Sequence, residues 1–209
     1  MVERFDARRH TRNLDIDGVN EWIWIATDTG AWHCKDQWPK NKECILRHCK
    51  KFDVAIQAGG NQGMYARLMS NMFKYVYTFE PHWDNFCSLV LNCNSPNIVK
   101  INGALGDVHC MVNLNTPNEM DTGLWSTQRN DEGHIPQFKI DDLNLSTLDL
   151  IYLDIENGES KAIDGAIESI NKFKPLIVCE NGYNVKEKLY NLNYIDVDQS
   201  HADTFFISK

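Results

Sequence analysis

The segment LDIENGE gathers Asp154, Glu156 and Glu159 directly behind an apolar run. Carboxylates so placed can take a proton from a hydroxyl or orient an acceptor molecule. As a cluster they can also hold a divalent cation, although nothing in the sequence requires one and no metal ligand is assigned. Asp154 and Glu156 are two residues apart, so a strand running through them would put both on one face. They are the candidate catalytic residues. Their alternative role is favourable charge at the start of the next helix, worth roughly 0.3–1 kcal/mol each. Glu159 is a candidate for binding the acceptor, as are Asp28 and His33 from an aromatic stretch near the N-terminus.

A second group of residues is suited to a nucleotide-like ligand. FDVAIQAGGNQG, residues 52–63, starts with apolar residues and breaks into Gly59, Gly60 and Gly63. Glycines let a backbone approach a ligand closely, and loops at the carboxyl ends of parallel strands are where open α/β sheets bind them. The dinucleotide pattern G-x-G-x-x-G needs glycines at 61 and 64, where this chain has Asn61 and Met64. Gln57, Gly59, Gly60, Asn61 and Gly63 are the candidate residues of this turn. Glu80 ends the next apolar run, 21 positions after Gly59, and Pro81 follows. An acid there is placed to accept hydrogen bonds from ribose hydroxyls. Further on, Ala104 and Leu105 can pack on a base, with Asp107 accepting from its amino group. Alternatively Gly106-Asp107 is a hairpin turn before CMVNLN.

These residues need elements to position them. Short apolar runs predict strands at YVYTF (75–79), NIVKIN (97–102), LDLIYLDI (148–155) and PLIVCE (175–180). Helical spacing is found in MYARLMSNMFKY, in HWDNFCSLVLNCN and in SKAIDGAIESINKF. Alternating strands and helices of this length imply a mostly parallel sheet with helices on both faces. Two short strands near the C-terminus predict an antiparallel hairpin on the sheet edge. IPQFKIDDL reads as a short strand and a turn. Residues 116–134 form a long polar loop, either functional or an ordinary surface segment.

The N-terminal 50 residues read as an extension. Residues 1–18 are polar and peripheral, and EWIWI is a strand of an aromatic flap. The turn Thr29-Gly30 leads to Trp32, His33 and Trp38, and a lead-in helix covers 41–51. The flap either covers the sheet or acts as a lid carrying Asp28 and His33. Residues 51–209 form the main domain.

Composition narrows the partners. The chain has 209 residues with 43% hydrophobic content, enough for one α/β domain and its core. A net charge of -8 argues against nucleic acid and anionic membrane as partners. Seven cysteines form no C-x-x-C pair and read as reduced thiols. With no apolar signal core and no apolar run of membrane length, the expected location is the cytoplasm, of a host cell for a viral source.

The motifs together resemble the FkbM-type methyltransferase family, from about Asp53 to Glu180. DVAIQAGGNQGMYA is similar to its first motif, TFEP to its F-E-P, NGALGD to its A-L-G-D loop and IDDL to its L-D-D-L. LDIENGESKAIDGA and KPLIVCE are similar to its D-x-E-G-x-E and P-x-x-x-x-E segments. QAGGN and the Trp-rich N-terminus are similar to bacteriophage-type members. Gln57 replaces the usual acid of the first motif, and Asn157 a glycine, although Asn tolerates positive φ. The resemblance implies a Rossmann-like class I fold, S-adenosylmethionine as cofactor, and methyl transfer to a hydroxyl of a sugar, glycan or small molecule. Two other readings stand beside it: a nicotinamide-dependent reductase, which lacks the proper glycine spacing and any Tyr-x-x-x-Lys pair, and a non-catalytic nucleotide-binding module.

Overall fold

The computed structural model describes residues 9–26, 28, 31–115, 126–129 and 132–209. The Thr29-Gly30 turn, residues 1–8 and residues 116–125 of the long polar loop lie outside the described residues, as does the Trp32 side chain.

Strands β1 (Arg9–Ile16) and β2 (Val19–Ile25) open the chain, followed by helix α1 (Ala31–His48). Then come β3 (Val54–Ala58), α2 (Met64–Met69), β4 (Tyr75–Phe79), α3 (Trp83–Asn92) and β5 (Ile98–Ile101). Four short strands follow: β6 (Ala104–Leu105), β7 (Cys110–Asn115), β8 (Ser126–Arg129) and β9 (Ile135–Phe138). The remainder is β10 (Leu150–Leu153), α4 (Glu159–Asp164), α5 (Ile167–Phe173), β11 (Leu176–Glu180), α6 (Lys186–Asn191), β12 (Tyr194–Ser200) and β13 (Asp203–Ser208).

The central sheet has seven strands in the order β12-β13-β11-β10-β3-β4-β5. The five strands from β11 to β5 are parallel, and β12–β13 form the expected antiparallel edge hairpin. Side chains alternate across the pleat and build two cores. Ala55, Tyr152, Val178 and Phe205 face the core containing Trp22, Trp24 and Trp38. Ile56, Ile151, Ile177 and Phe206 face the core under α4, α5 and α6. Among the described residues no helix is long and apolar enough to cross a membrane.

Several expectations need correction. Residues 9–16 are not peripheral: they form β1, which pairs with β2 and buries Leu14 and Ile16. The lead-in helix begins at Ala31 rather than Asn41, so His33 and Trp38 are helical. Helix α2 stops at Met69 because a turn follows, with Met72 N and Phe73 N both donating to Met69 O at 2.9 Å. The segment 160–173 is two helices. A Cβ at Gly165 would lie 2.0 Å from Gly106 O, so the chain breaks there to let the loop after β6 approach. No hairpin joins Ala104-Leu105 to CMVNLN; β6 pairs in parallel with β9, in a separate sheet of order β6-β9-β7-β8.

The N-terminal hairpin is locked to the domain by side-chain amides. Asn92 accepts from Ile23 N (2.7 Å) and donates to Ile23 O (2.8 Å) and Gln62 O (2.6 Å). Gln62 accepts from Ile25 N at 2.7 Å. These amides satisfy the free edge of β2, which would otherwise leave polar backbone groups unpaired. Trp22 is fully buried, donates to Leu14 O at 2.9 Å, and carries the Arg67 guanidinium 4.7 Å from its ring centroid. Trp22→Ala should therefore cost about 3–5 kcal/mol of stability in urea denaturation. A loss below about 1 kcal/mol, the range of a surface change, would show that the hairpin is peripheral after all.

Candidate functional site

The turn after β3 is shaped by its neighbours. Gly59 has φ +59°, and a Cβ there would lie 1.8 Å from Asp154 O, so no other residue fits. Gly60 N donates to Phe79 O at 2.8 Å, tying the turn to the end of β4. Gln57 holds the turn from below: its Nε2 donates to Gly59 O at 2.8 Å, and its Oε1 accepts from Thr78 Oγ1 at 2.6 Å. The family's acid is thus replaced by an amide that spends both ends within the protein. Asn61 has φ +45°.

Glu80 closes the other side. Its two oxygens accept from Asn61 N (2.6 Å) and His82 N (2.7 Å), and the side chain is buried. Burial pushes its pKa up to about 8, against the opposing pull of those two N–H donors. Each carboxylate oxygen still has acceptor capacity for a ligand hydroxyl.

A cavity of about 370 Å³ lies over this turn, a size found for small-molecule sites. Its wall includes Gln57, Gly59, Gly60, Asn61, Glu80, Pro81, Ala104, Leu105, Asp154, Glu156 and His33. The fold thus brings together most of the residues singled out from the sequence, across more than a hundred positions of chain. Asn61 lines the cavity, and its Oδ1 is buried with no hydrogen-bond partner. An orphaned acceptor on a cavity wall fits a ligand that donates to it. With Glu80 beside it and the apolar Ala104 and Leu105 on the same wall, the cavity offers acceptors for hydroxyls and an apolar surface for a ring.

Four expected site residues do not reach the cavity wall; one is Gly63, where a Cβ would lie 2.8 Å from Cys93 Sγ and 3.0 Å from Leu89 Cα, so that it packs against α3 instead. Asp28 is buried, and its Oδ2 accepts from Gln62 Nε2 at 3.1 Å, so it supports the hairpin clamp. Glu159 turns back along its own chain to accept from Ile155 N at 3.1 Å and is buried there. Asp107 lies beyond Gly106, which is packed between Gln137 and Gly165. Asp28 and Glu159 are each held by a nearby N–H donor of the protein.

The acid end also departs from the simple strand picture. Strand β10 ends at Leu153, and Glu156 and Asn157 both take positive φ, +46° and +68°. Asn157 does fill the left-handed position of the absent glycine. Asp154 and Glu156 therefore meet across a loop, not on a strand face, and Glu180 joins them: ligand oxygens from the three lie within 4.8 Å of one another. Asp154 is exposed by area, but that area faces the cavity. Burial within the surrounding protein, then the charge of Glu180, raise its pKa well above the ordinary carboxylate range.

Sequence reasoning missed Glu180, Tyr65, Tyr152, Gln37 and Cys34 on this wall. Glu180 carried a signal, an acid ending a strand. The two tyrosines lie within a helix and a strand whose spacing reads only as core.

The sequence matches the methyltransferase FkbM domain over residues 57–203, well over half of the chain. Among solved structures, it is similar to the methyltransferase FkbM from Methylobacillus flagellatus KT, with 18% identity and a TM-score of 0.49 over 74% of this chain and 43% of that one. The chain thus spans less than half of that protein. It is also similar to precorrin-6y C5,15-methyltransferase from Geobacter metallireducens GS-15 (12% identity, TM-score 0.47, 80% of this chain and 86% of that one). A third likeness is to M. jannaschii TYW2 in complex with AdoMet (11% identity, TM-score 0.48, 97% of this chain and 87% of that one). No curated protein matches the chain. The match across residues 57–203, from Gln57 of the glycine turn to Asp203 of the edge hairpin, assigns the chain to the FkbM-type family of S-adenosylmethionine-dependent methyltransferases.

Proposed function

We propose that the chain O-methylates a hydroxyl of a sugar, glycan or small molecule. The observation that carries this reading is one cavity joining a wall with acceptors at Glu80 and Asn61 to the carboxyls of Asp154 and Glu156. Bound S-adenosylmethionine would supply an electrophilic methyl on a sulfonium centre. Gly59, Gly60 and Asn61 would cradle it, Glu80 would take the ribose hydroxyls, and Ala104 and Leu105 would flank the base. Holding acceptor and methyl in line accounts for much of the acceleration in such a reaction. In this reading Asp154 would receive the proton of the acceptor hydroxyl, and Glu156 would orient it. His33, at the cavity wall, would contact the acceptor. The carboxyls favour an acceptor without negative charge near the reacting hydroxyl. A net charge of -8 likewise supports a small acceptor over nucleic acid or a membrane surface.

Glu80 gives the first test. Charge-assisted hydrogen bonds of this kind are worth about 1.5–3 kcal/mol. Glu80→Ala should weaken S-adenosylhomocysteine binding by about tenfold or more in calorimetry, with the fold intact. Unchanged affinity would remove Glu80 from the ribose site.

The same residue sets a pH dependence. The folded pKa, about 8, lies above the ordinary 4.5, so the ligand-free protein loses Glu80's contribution to stability as pH rises from 4.5 through 8. Donation from ribose hydroxyls favours the ionised form. Affinity for S-adenosylhomocysteine should therefore rise with pH and level off above about 8, while Glu80→Gln should show no such slope. An identical slope in the variant would assign the dependence to another group.

Asp154→Asn keeps the side-chain shape but cannot take a proton. It should bind S-adenosylmethionine normally and turn over about a hundredfold more slowly under single-turnover conditions, across a panel of hydroxyl acceptors. Near-normal turnover would remove Asp154 as the base.

A further inference from the structure

The edge of the sheet sets three carboxyls in a row. Leu153 of β10 pairs with Cys179 of β11, so the next residues along these parallel strands, Asp154 and Glu180, are neighbours. Glu180 is in turn the register partner of Asp203 on antiparallel β13. Asp203 is buried, and its Oδ2 accepts from Tyr152 Oη and Asn41 Nδ2, both at 2.6 Å. Those donors fix Asp203 at the back of the row. Burial raises its pKa to about 6, so above that pH it presents a negative charge to Glu180.

Asp154 and Glu180 both line the cavity, and their carboxylate oxygens lie within 4.8 Å of each other. Two ionised carboxylates so close repel each other, so a proton on one partner is favoured. Among the described residues, the other groups facing Asp154 do not supply a fixed positive charge. They are Glu156 from its own loop, Tyr152 from β10, Tyr65 from α2, and Cys34 from α1. Among the described residues of the cavity wall, His33 is the one side chain able to become cationic. A shared proton relieves the repulsion in the row.

We propose that Asp154 and Glu180 work as a proton-sharing pair, with Glu180 the positioning residue that tunes Asp154 as the base for the acceptor hydroxyl. This rests on the methyl-transfer reading of the cavity. A lone carboxylate titrates near 4 and is a weak base at neutral pH. A second carboxyl in contact raises its proton affinity toward the working range. In the step, the acceptor O–H bond would break with its electron pair left on the oxygen, and that oxygen would bond to the methyl carbon as the methyl–sulfur bond breaks and leaves its electron pair on sulfur. The proton passes to the pair, which goes from one proton to two, and returns to solvent before the next turnover. Asp203, held by Tyr152 and Asn41, keeps negative charge behind Glu180 and so keeps the pair basic.

Infrared titration of the ligand-free protein tests the pair without relying on activity. The protonated carboxyl band lost in Asp154→Asn is followed against pH in wild type and in Glu180→Gln. Removal of the neighbouring carboxyl is expected to move the Asp154 titration to lower pH. Calorimetry should show unchanged affinity of Glu180→Gln for S-adenosylhomocysteine. With an acceptor that wild type methylates, the rising limb of the pH–rate profile should move to lower pH and the limiting rate fall by about tenfold or more, with Glu180→Asp restoring the limb. If Glu180→Gln fails to fold, Glu180→Ser carries the same comparison. An unmoved Asp154 titration in a folded variant with normal ligand affinity overturns the pair and leaves the methyl-transfer reading standing. Turnover that requires added Mg²⁺, with Mg²⁺ abolishing the protonated band, also overturns it, since a cation then replaces the shared proton. Failure of wild type to bind S-adenosylhomocysteine overturns the methyl-transfer reading, and the pair's catalytic role with it.

Discussion

A backbone contact with no room for a side chain joins the two halves of this site. The carbonyl of Asp154 lies where a Cβ of residue 59 would be, at 1.8 Å, and Asp154 N donates to Ala58 O at 2.9 Å. Strands β3 and β10 are adjacent and parallel, so they end together, and Gly59 lets their ends close up. The turn that suits a cofactor is thereby pressed against the acid that suits proton transfer. A side chain at residue 59 would push β10 away and open the cavity between its binding and reacting ends. Everything else in the site is arranged around this junction.

The surrounding structure serves to keep that junction closed. Gln57 and Thr78 brace the turn from the sheet, and Glu80 braces it from β4 through Asn61 N. On the outside, Gln62 follows the turn directly and accepts from Ile25 N, so the N-terminal hairpin bears on the cofactor loop. Trp24 carries this contact to the cavity wall itself. The aromatic flap is therefore part of the core and part of the site at once. On the opposite face, Asp141 caps α5 by accepting from Ser169 N (2.8 Å) and Glu168 N (3.1 Å), which anchors the helix pair behind the acid loop.

Charge is concentrated where it is least comfortable. Glu80, Asp154 and Asp203 all have raised pKa values, each chiefly through burial. Buried carboxyls of this kind disfavour the folded state once ionised, and surface acids do not share that penalty. Glu80 and Asp154 lie along one cavity with Asp203 behind them, so the apolar faces of the sheet hold the protein together while its carboxyl end is left electrostatically strained.

The strands were legible because their apolar runs are short and bounded, and YVYTF coincides with β4. The glycine turn, Glu80 and Asp154 were legible because each depends on a local feature: a break in a strand, or an acid at its end. What the sequence could not show was pairing at a distance. Ala104 lies beside Gln137 and not beside the strand that follows it, so a whole second sheet was hidden. The IDDL segment read as a turn, yet Asp141 in it is a helix cap reaching 28 residues along the chain. Asp28 and Glu159 have the right chemistry for a ligand, but Gln62 Nε2 and Ile155 N lie closer and claim them. Glu180 was visible as an acid at a strand end, but its significance depends on the register that sets it between Asp154 and Asp203. The sequence by itself determined which residues could bind, pack or ionise, since those properties belong to side chains and short spacings. Only the tertiary structure decided which of them share a cavity and which are spent on one another, because a polar group's partner is settled by distance in space and not by separation along the chain.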